Sequence, residues 1–241
     1  MAKISKSIKT AFSLVSKVIR RFDILKAKTG VVAGISGGID SLVLLFLLKE
    51  YNNHFRQHWD IYACHIDPGF PEWNTDIVEN FCKRLELPYK IIKTNINKRL
   101  QLIEKKCFFC ARERRRRLLE YAESLNVFQI ALAHHREDVV ETFLLNIIYN
   151  GEISTMVPRQ SVIQGRFSFI RPIYYFDKKE IQKIARFLKI PENVNTCPYY
   201  QISKRQTIRN FLNEIVLEYP DTYNSIFNGI KNIKTSYLPF Y

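Results

Sequence analysis

Val31-Val32-Ala33-Gly34-Ile35-Ser36-Gly37-Gly38-Ile39-Asp40-Ser41, running on into Leu42-Val43-Leu44-Leu45, carries the reading of the whole chain. A β-rich apolar run breaks at Ser-Gly-Gly-x-Asp-Ser, and an apolar, helix-compatible segment starts at once. Strand, glycine turn and helix N-terminus together make an anion site, because unpaired N–H groups and the helix dipole converge there. Gly37 and Gly38 let the backbone take positive φ and come close to a phosphate. Ser36 and Ser41 add hydroxyl donors. Asp40 repels such a ligand unless a divalent cation lies between them. The turn is not the phosphate loop of kinases and GTPases, which needs G-x-x-x-x-G-K-[ST] and its lysine.

Downstream, strand and helix patterns alternate. The patterning predicts strands over 30–35, 60–66, 89–94 and 128–133, and helices over 41–51, 73–85, 111–125 and 139–149. This order implies an α/β fold, a parallel sheet with helices on both faces, with ligands at the carboxyl ends of its strands. The Ser36–Ser41 turn, Asp67, Cys107 with Cys110, and His134-His135 all follow such ends or lie in the connections beyond them. Past Gly151 the alternation stops. A β-like piece over 167–170 leads to Arg171-Pro172, a helix over 178–188, a loop with Cys197-Pro198 and a basic helix from about Ser203 to Glu218. The organisation expected is a basic amphipathic segment over 1–28, a nucleotide domain over 29–175, and a helical part over 176–241 of the same globular unit.

Composition narrows the class. The 241 residues can bury a full core, and 37 Lys+Arg against 23 Asp+Glu leave a net charge of +14. So basic a chain suits a polyanionic partner, nucleic acid first. Many Asn, Ile, Lys and Tyr residues indicate an AT-rich coding bias, which accounts for lysine but not for an arginine cluster. No apolar segment approaches the ~20 residues of a membrane span, so no membrane partner is expected. Ile4, Ile8, Phe12, Val15, Ile19 and Phe22 fall at helical spacing in a basic, serine-containing start. A transit peptide can look like this; an amphipathic helix lying on a domain or gripping RNA is the preferred reading. Five cysteines without a secretion signal point to reduced cytoplasmic thiols and metal or redox chemistry.

Three constellations bear chemistry. His65 and Asp67 end the second strand, where a nucleotide-binding sheet can touch adenine and ribose; a polar Pro-Gly turn is the plainer alternative. His134-His135-Arg136-Glu137-Asp138 sits at the mouth of a helix. There His135 could stabilise phosphate charge and Asp138 could hold Mg²⁺ with Asp40, although acids early in a helix also simply suit its dipole. Cys107-Phe108-Phe109-Cys110 then runs into Ala111-Arg112-Glu113-Arg114-Arg115-Arg116-Arg117. A CxxC alone suits half a zinc site, a redox pair or iron–sulfur ligation. No second CxxC exists, and Cys197 offers one more thiol. The stripe of Leu118, Ala122 and Leu125, carried back one turn, meets Arg115 and Ala111. Arg115 is therefore expected to point inward, with Arg112, Arg114, Arg116 and Arg117 available to RNA phosphates.

Ser-Gly-Gly-Ile-Asp-Ser resembles the signature of the PP-loop, or N-type, ATP pyrophosphatases, which split ATP between the α and β phosphates. With Asp67 and its Pro-Gly-Phe-Pro-Glu, CFFCARERR, ALAHHREDVVET, IRP and TCPY, the chain from about Gly30 to Arg209 is similar to the tRNA 2-thiocytidine synthetase group. That resemblance implies an adenine nucleotide α-hydrolase-like fold and an enzyme that adenylates cytidine C2–O in the anticodon loop and replaces the oxygen with sulfur. It implies ATP on Ser36, Gly37, Gly38, Asp40, Ser41, His65, Asp67 and His134, and Mg²⁺ on Asp40 and Asp138. His135 and Arg115 join the two aspartates as catalytic groups. A 4Fe–4S cluster is implied on Cys107, Cys110 and Cys197. The partners would be tRNA and a sulfur donor, a cysteine desulfurase or sulfide, and a homodimer is compatible with the chain. Two features depart from the group: Pro198-Tyr199-Tyr200 follows Cys197 where a second cysteine is expected, and Arg116 replaces a small residue. The alternatives are a tRNA lysidine synthetase-like ligase, which has no need of CxxC, and an RNA-binding or sulfur-relay protein with a vestigial ATP site.

Overall fold

The computed structural model describes residues 6–191, 195–237 and 239; Ile4 of the N-terminal stripe lies outside them. Two compact units emerge. One takes in the described residues of Met1–His135 with Val157–Tyr200, and the other those of Arg136–Met156 with Gln201–Tyr241.

The first unit is built on a sheet of six strands: β1 (Gly30–Gly34), β2 (Asp60–Asp67), β3 (Tyr89–Lys93), β4 (Gln129–Ala131), β5 (Arg159–Val162) and β6 (Phe167–Ile170), in the order β3-β2-β1-β4-β6-β5. Five strands run parallel, with Ala33 level with Ala63 on one side and Ala131 on the other. The sixth corrects the expectation of an all-parallel sheet. β5 pairs antiparallel with β6, Gln160 opposite Phe169, as an edge hairpin. Its residues Arg-Gln-Ser-Val show no alternation, because an edge strand need not bury a face.

Strand period sends alternate side chains to opposite faces. Val32, Cys64, Ile66, Ile130 and Leu132 share one core with Phe109, Leu118 and Ala122 of helix α5 (Lys106–Ser124) and with Ile96 and Leu100 of α4 (Ile96–Leu100). Helix α2 (Ile39–Phe55) contributes nothing to that cluster. It packs on β2, on α7 (Lys178–Phe187) and on α1 (Lys6–Phe22). α3 (Asp76–Arg84) lies between β2 and β3 in sequence.

The N-terminal segment is a docked helix. Its Ile8, Phe12, Val15 and Val18 are buried. The Phe12 ring meets Tyr51 edge-on at 5.7 Å, and Ser16 Oγ shares a 2.8 Å hydrogen bond with Tyr51 Oη. Among the described residues no helix is long and apolar enough to cross a membrane.

The second unit consists of α6 (Arg136–Asn150), α8 (Lys204–Glu218) and α9 (Thr222–Gly229), each touching the other two. At its centre Glu141, only 2% exposed, accepts from Arg209 through both oxygens, at 2.8 and 3.0 Å, and from Arg205 at 3.4 Å.

Candidate active site

β1 ends at Gly34, and the chain turns through Ile35–Gly38 before α2 begins at Ile39. Gly37 sits at φ 89°, a conformation open to glycine at little cost. Gly38 is the N-cap and makes no side-chain capping bond, so the first N–H groups of α2 stay available to an anion. The serines brace the turn. Buried Ser41 Oγ donates to the Gly38 carbonyl at 2.8 Å and accepts from the Ser36 N–H at 3.1 Å, while Ser36 Oγ accepts from the Gly38 N–H at 3.3 Å.

Asp40, second residue of α2, is held from two sides. Its Oδ1 accepts from Lys178 Nζ at 2.5 Å, and Oδ2 lies 3.8 Å from Nε2 of buried His135. Lys178 stands 138 residues away in the chain, and no sequence pattern marks it.

His65 and His134 have defined tautomers. The indole N–H of Trp73, a donor only, points to His65 Nε2 at 2.9 Å. The ring proton of His65 is therefore on Nδ1, which donates to the Ile35 carbonyl at 2.7 Å. Burial holds this imidazole below its ordinary pKa, and the Arg114 charge lowers it further. With both nitrogens engaged by protein groups, His65 pins the approach to the glycine turn rather than offering its ring to a nucleotide. His134 Nδ1 accepts from Arg171 Nε at 3.3 Å, so neutral His134 carries its proton on Nε2. Asp67 Oδ1 accepts from the Gly69 N–H at 2.8 Å, an Asx turn that shapes the Pro-Gly corner.

A cavity of about 160 Å³ opens beside the turn at the carboxyl ends of β1 and β4. Cys64, Ile66, Leu118 and Leu132 give it apolar walls, and Arg114, Arg115 and His134 supply its polar groups. Gly34 belongs to the same wall; a Cβ there would lie 2.9 Å from Leu118 Cδ1. Arg115 lines the cavity, and so does Arg114, which the sequence stripe had turned outward. The inward face is wider than the stripe, since Glu113 is buried too, where Arg99 at 2.8 Å and Arg116 at 3.1 Å neutralise it. Burial pulls its carboxyl pKa up, yet those two hydrogen bonds prevail and leave it below the usual range.

Arg116 and Arg117, expected on RNA, pair along their own helix, with Glu120 at 3.0 and 2.9 Å respectively. Arg112 lies with its guanidinium 5.7 Å from the Phe109 ring centroid.

α5 starts at Lys106, earlier than its apolar stripe indicates, so Cys107 and Cys110 share a face of its first turns. Cys110 and Cys197 are half-buried and Cys107 is exposed. Burial pushes the Cys110 thiol up; Arg114 opposes it by charge and a hydrogen bond, while Cys197 and Cys107 add to the rise. Cys110 thus feels both other thiols and the Arg114 cation within the first unit. Cys64 and Cys82 differ, their thiols pushed up to about 12 and about 11 by burial among core side chains. Among the described residues no three His, Cys, Asp or Glu side chains gather tightly around a point as a single-ion site. An iron–sulfur cluster is wider than one ion, and a set of three soft thiolates beside a cation fits it. Mg²⁺ bound with a nucleotide needs only one or two carboxylates besides phosphate oxygens, a demand Asp40 fits. Asp138, expected to share that ion, belongs to the second unit, where Arg205 takes its Oδ1 at 3.1 Å.

A mostly parallel sheet that offers a Ser-Gly-Gly-x-Asp-Ser turn and a helix N-terminus at its carboxyl edge defines a PP-loop nucleotide domain. The chain belongs to the PP-loop family, whose domain matches residues 7–216, in the group of the tRNA-cytidine 2-sulfurtransferases. It is 32% identical over 93% of its length to the tRNA-cytidine(32) 2-sulfurtransferase of Acinetobacter baumannii, covering 76% of that protein. To the enzyme of the same name from Nitrosospira multiformis it is 31% identical, covering 77% of it. Among solved structures, the U34-tRNA thiolase NcsA of Methanococcus maripaludis with its 4Fe–4S cluster superposes with a TM-score of 0.78 at 26% identity, over 93% of this chain and 78% of that one. The NMN synthetase of Francisella tularensis, at 15% identity and a TM-score of 0.54, shares the fold.

Proposed function

We propose that the chain is an ATP-dependent tRNA thiolation enzyme of the cytoplasm, acting at C2 of a cytidine in the anticodon loop, position 32 by similarity to its relatives. The observation that carries this reading is one helix, α5, with Cys107 and Cys110 at its start and Arg114 and Leu118 on the cavity beside the pyrophosphatase turn. A nucleotide site and a thiol site so joined suit a reaction that activates an oxygen and then replaces it with sulfur.

In this reading the adenosine half of ATP occupies the apolar cavity, and its phosphates lie at the N-terminus of α2. Asp40 would hold Mg²⁺ there, and the ion would supply neutralisation of phosphate charge. The cytosine O2 attacks the α-phosphorus, the bond from that phosphorus to the α,β-bridging oxygen breaks, and pyrophosphate leaves. The oxygen, now part of a phosphate ester, departs with AMP when sulfur bonds to C2. The Nε2–H of His134 and the guanidinium of Arg114, both on the cavity, would stabilise charge at the α-phosphate and the departing oxygen. His135, within reach of Asp40, adds to the phosphate side. Cys107, Cys110 and Cys197 would hold a 4Fe–4S cluster, which with three protein thiolates keeps one iron open to carry sulfur from a desulfurase or free sulfide.

Anaerobically reconstituted protein, transcribed tRNA and labelled ATP test the proposal. Wild type should release AMP and pyrophosphate and yield 2-thiocytidine by mass spectrometry. Asp40→Asn should stop turnover, and serine at any of the three cysteines should remove iron and thiolation together. ADP as product, or iron-free zinc protein with full activity, would overturn it.

A further inference from the structure

We propose that Lys178 is a phosphate-binding residue of the nucleotide site, an inference that rests on the ATP-cleaving reading above. Lys178 is the first residue of α7, after the N-cap Asp177, whose side chain and Glu180 form a reciprocal capping box. A cation in the first turn of a helix works against the helix dipole. Its position is accounted for outside α7, where its ammonium contacts Asp40 Oδ1 at 2.5 Å. Asp40 lies in the first turn of α2, whose exposed N–H groups gather an anion. The capping box fixes the start of α7, and from there the Lys178 ammonium reaches the glycine turn at Asp40.

Neither side chain is sealed in: Lys178 is 37% and Asp40 30% exposed. A lysine stem has four rotatable bonds and an ammonium that accepts any oxygen. Asp40 would be the carboxylate that holds Mg²⁺ in that reading, so Lys178 gives it up when a nucleotide binds. The displaced ammonium can then turn to the β- and γ-phosphate oxygens, since in that reading the triphosphate lies on the same helix turn. Lys178 thereby neutralises Asp40 in the empty site and the leaving pyrophosphate in the filled one. The exchange moves no covalent bond and adds no net charge.

The discriminating experiment compares nucleotides that share an adenosine and differ in phosphates. Calorimetric affinities for AMP and for α,β-methylene-ATP with Mg²⁺ are measured on wild type, Lys178→Met and Lys178→Arg. Loss of a charged hydrogen bond to phosphate should weaken the triphosphate analogue by roughly tenfold or more in Lys178→Met. AMP affinity should stay within about twofold, and Lys178→Arg should recover most of the loss. Equal weakening for AMP and the analogue in a variant of unchanged circular dichroism would assign Lys178 to shaping the turn and overturn the proposal. Unchanged affinity for both would overturn it as well. Wild type that binds neither nucleotide would instead sink the ATP reading itself, so the two failures are told apart.

Discussion

Arg171, buried to 2% exposure at the end of β6, donates from Nε to Nδ1 of His134 at the end of β4. The same guanidinium donates to the Val157 carbonyl at 2.5 Å and to Gln160 Oε1 at 3.2 Å. One planar cation thus ties the edge hairpin to a cavity histidine and selects that histidine's tautomer.

Arg171→Met should leave the Val157 carbonyl and His134 Nδ1 without their donor, at about 1–3 kcal/mol for each group stranded. Urea unfolding should show the loss. Nitrogen-15 NMR of the imidazole should show a mixture of tautomers replacing the Nε2–H form. An ammonium cannot reproduce a three-way planar fork, so Arg171→Lys should restore little. A single unchanged tautomer in Arg171→Met would disprove the orienting role.

His65 makes folding sensitive to acid. Its folded pKa is lowered by burial from an unfolded value of 6.5. Above 6.5 both states are neutral and its hydrogen bonds contribute in full. As pH falls through 6.5 toward the folded pKa, the unfolded chain takes up a proton that the folded chain refuses, and stability drops. Urea midpoints between about pH 5 and 7.5 should therefore slope downward on the acid side. His65→Gln, which keeps a donor and an acceptor but no titration, should flatten that limb; an equally steep limb in the variant would reject the assignment.

Glu141 is the counter-charge of the second unit. Glu141→Ala removes the buried carboxylate that Arg205 and Arg209 share. Both arginines are about one-third exposed and Arg205 keeps Asp138, so the cost should fall below the roughly 3–5 kcal/mol of a fully buried broken pair. Glu141→Gln, similar in shape but uncharged, should cost less. Hydrogen exchange of α8 is the measurement, since α8 carries both arginines. Protection of residues 204–218 that survives in Glu141→Ala would show that the apolar contacts suffice.

Arginines already paired along α5 should contribute less to RNA affinity than Arg112. Each phosphate contact adds roughly −0.7 to −0.9 to the slope of log affinity against log salt. Arg112→Gln should flatten the slope for tRNA by about one contact. Arg116→Gln and Arg117→Gln should change it less, because each gives up a pairing with Glu120 as well as a charge. Equal changes in all three would mean that tRNA breaks those pairs.

The glycine turn, the strand succession and the Cys107/Cys110 pair could be read from local pattern because each is written in consecutive or periodic residues, whereas Cys197 stands out only as a remaining thiol and through the family resemblance. Long-range charge partners could not. Lys178 and Arg171 look like any basic residue until the fold sets them against Asp40 and His134. The arginine helix is legible only in part: Glu113 is polar in the sequence but buried in the fold, and the face on the cavity takes in Arg114 as well as Ala111, Arg115 and Leu118. Ser36, Ser41 and His65 carry the expected chemistry in name, yet their hydrogen bonds go largely to the protein. No alternation of apolar residues marks the β5 hairpin, which an unburied edge does not require.

Trp73 is wired to the glycine turn through a single imidazole, indole to His65 to the Ile35 carbonyl. The chain's other tryptophan, Trp59, is stacked on Tyr51 well inside the core. The molecule therefore carries its own optical reporter: a shift in the turn changes the polarity around one indole and leaves the second as an internal reference. Nucleotide titrations can be followed by intrinsic emission in unlabelled protein, with Trp73→Phe as the silent control.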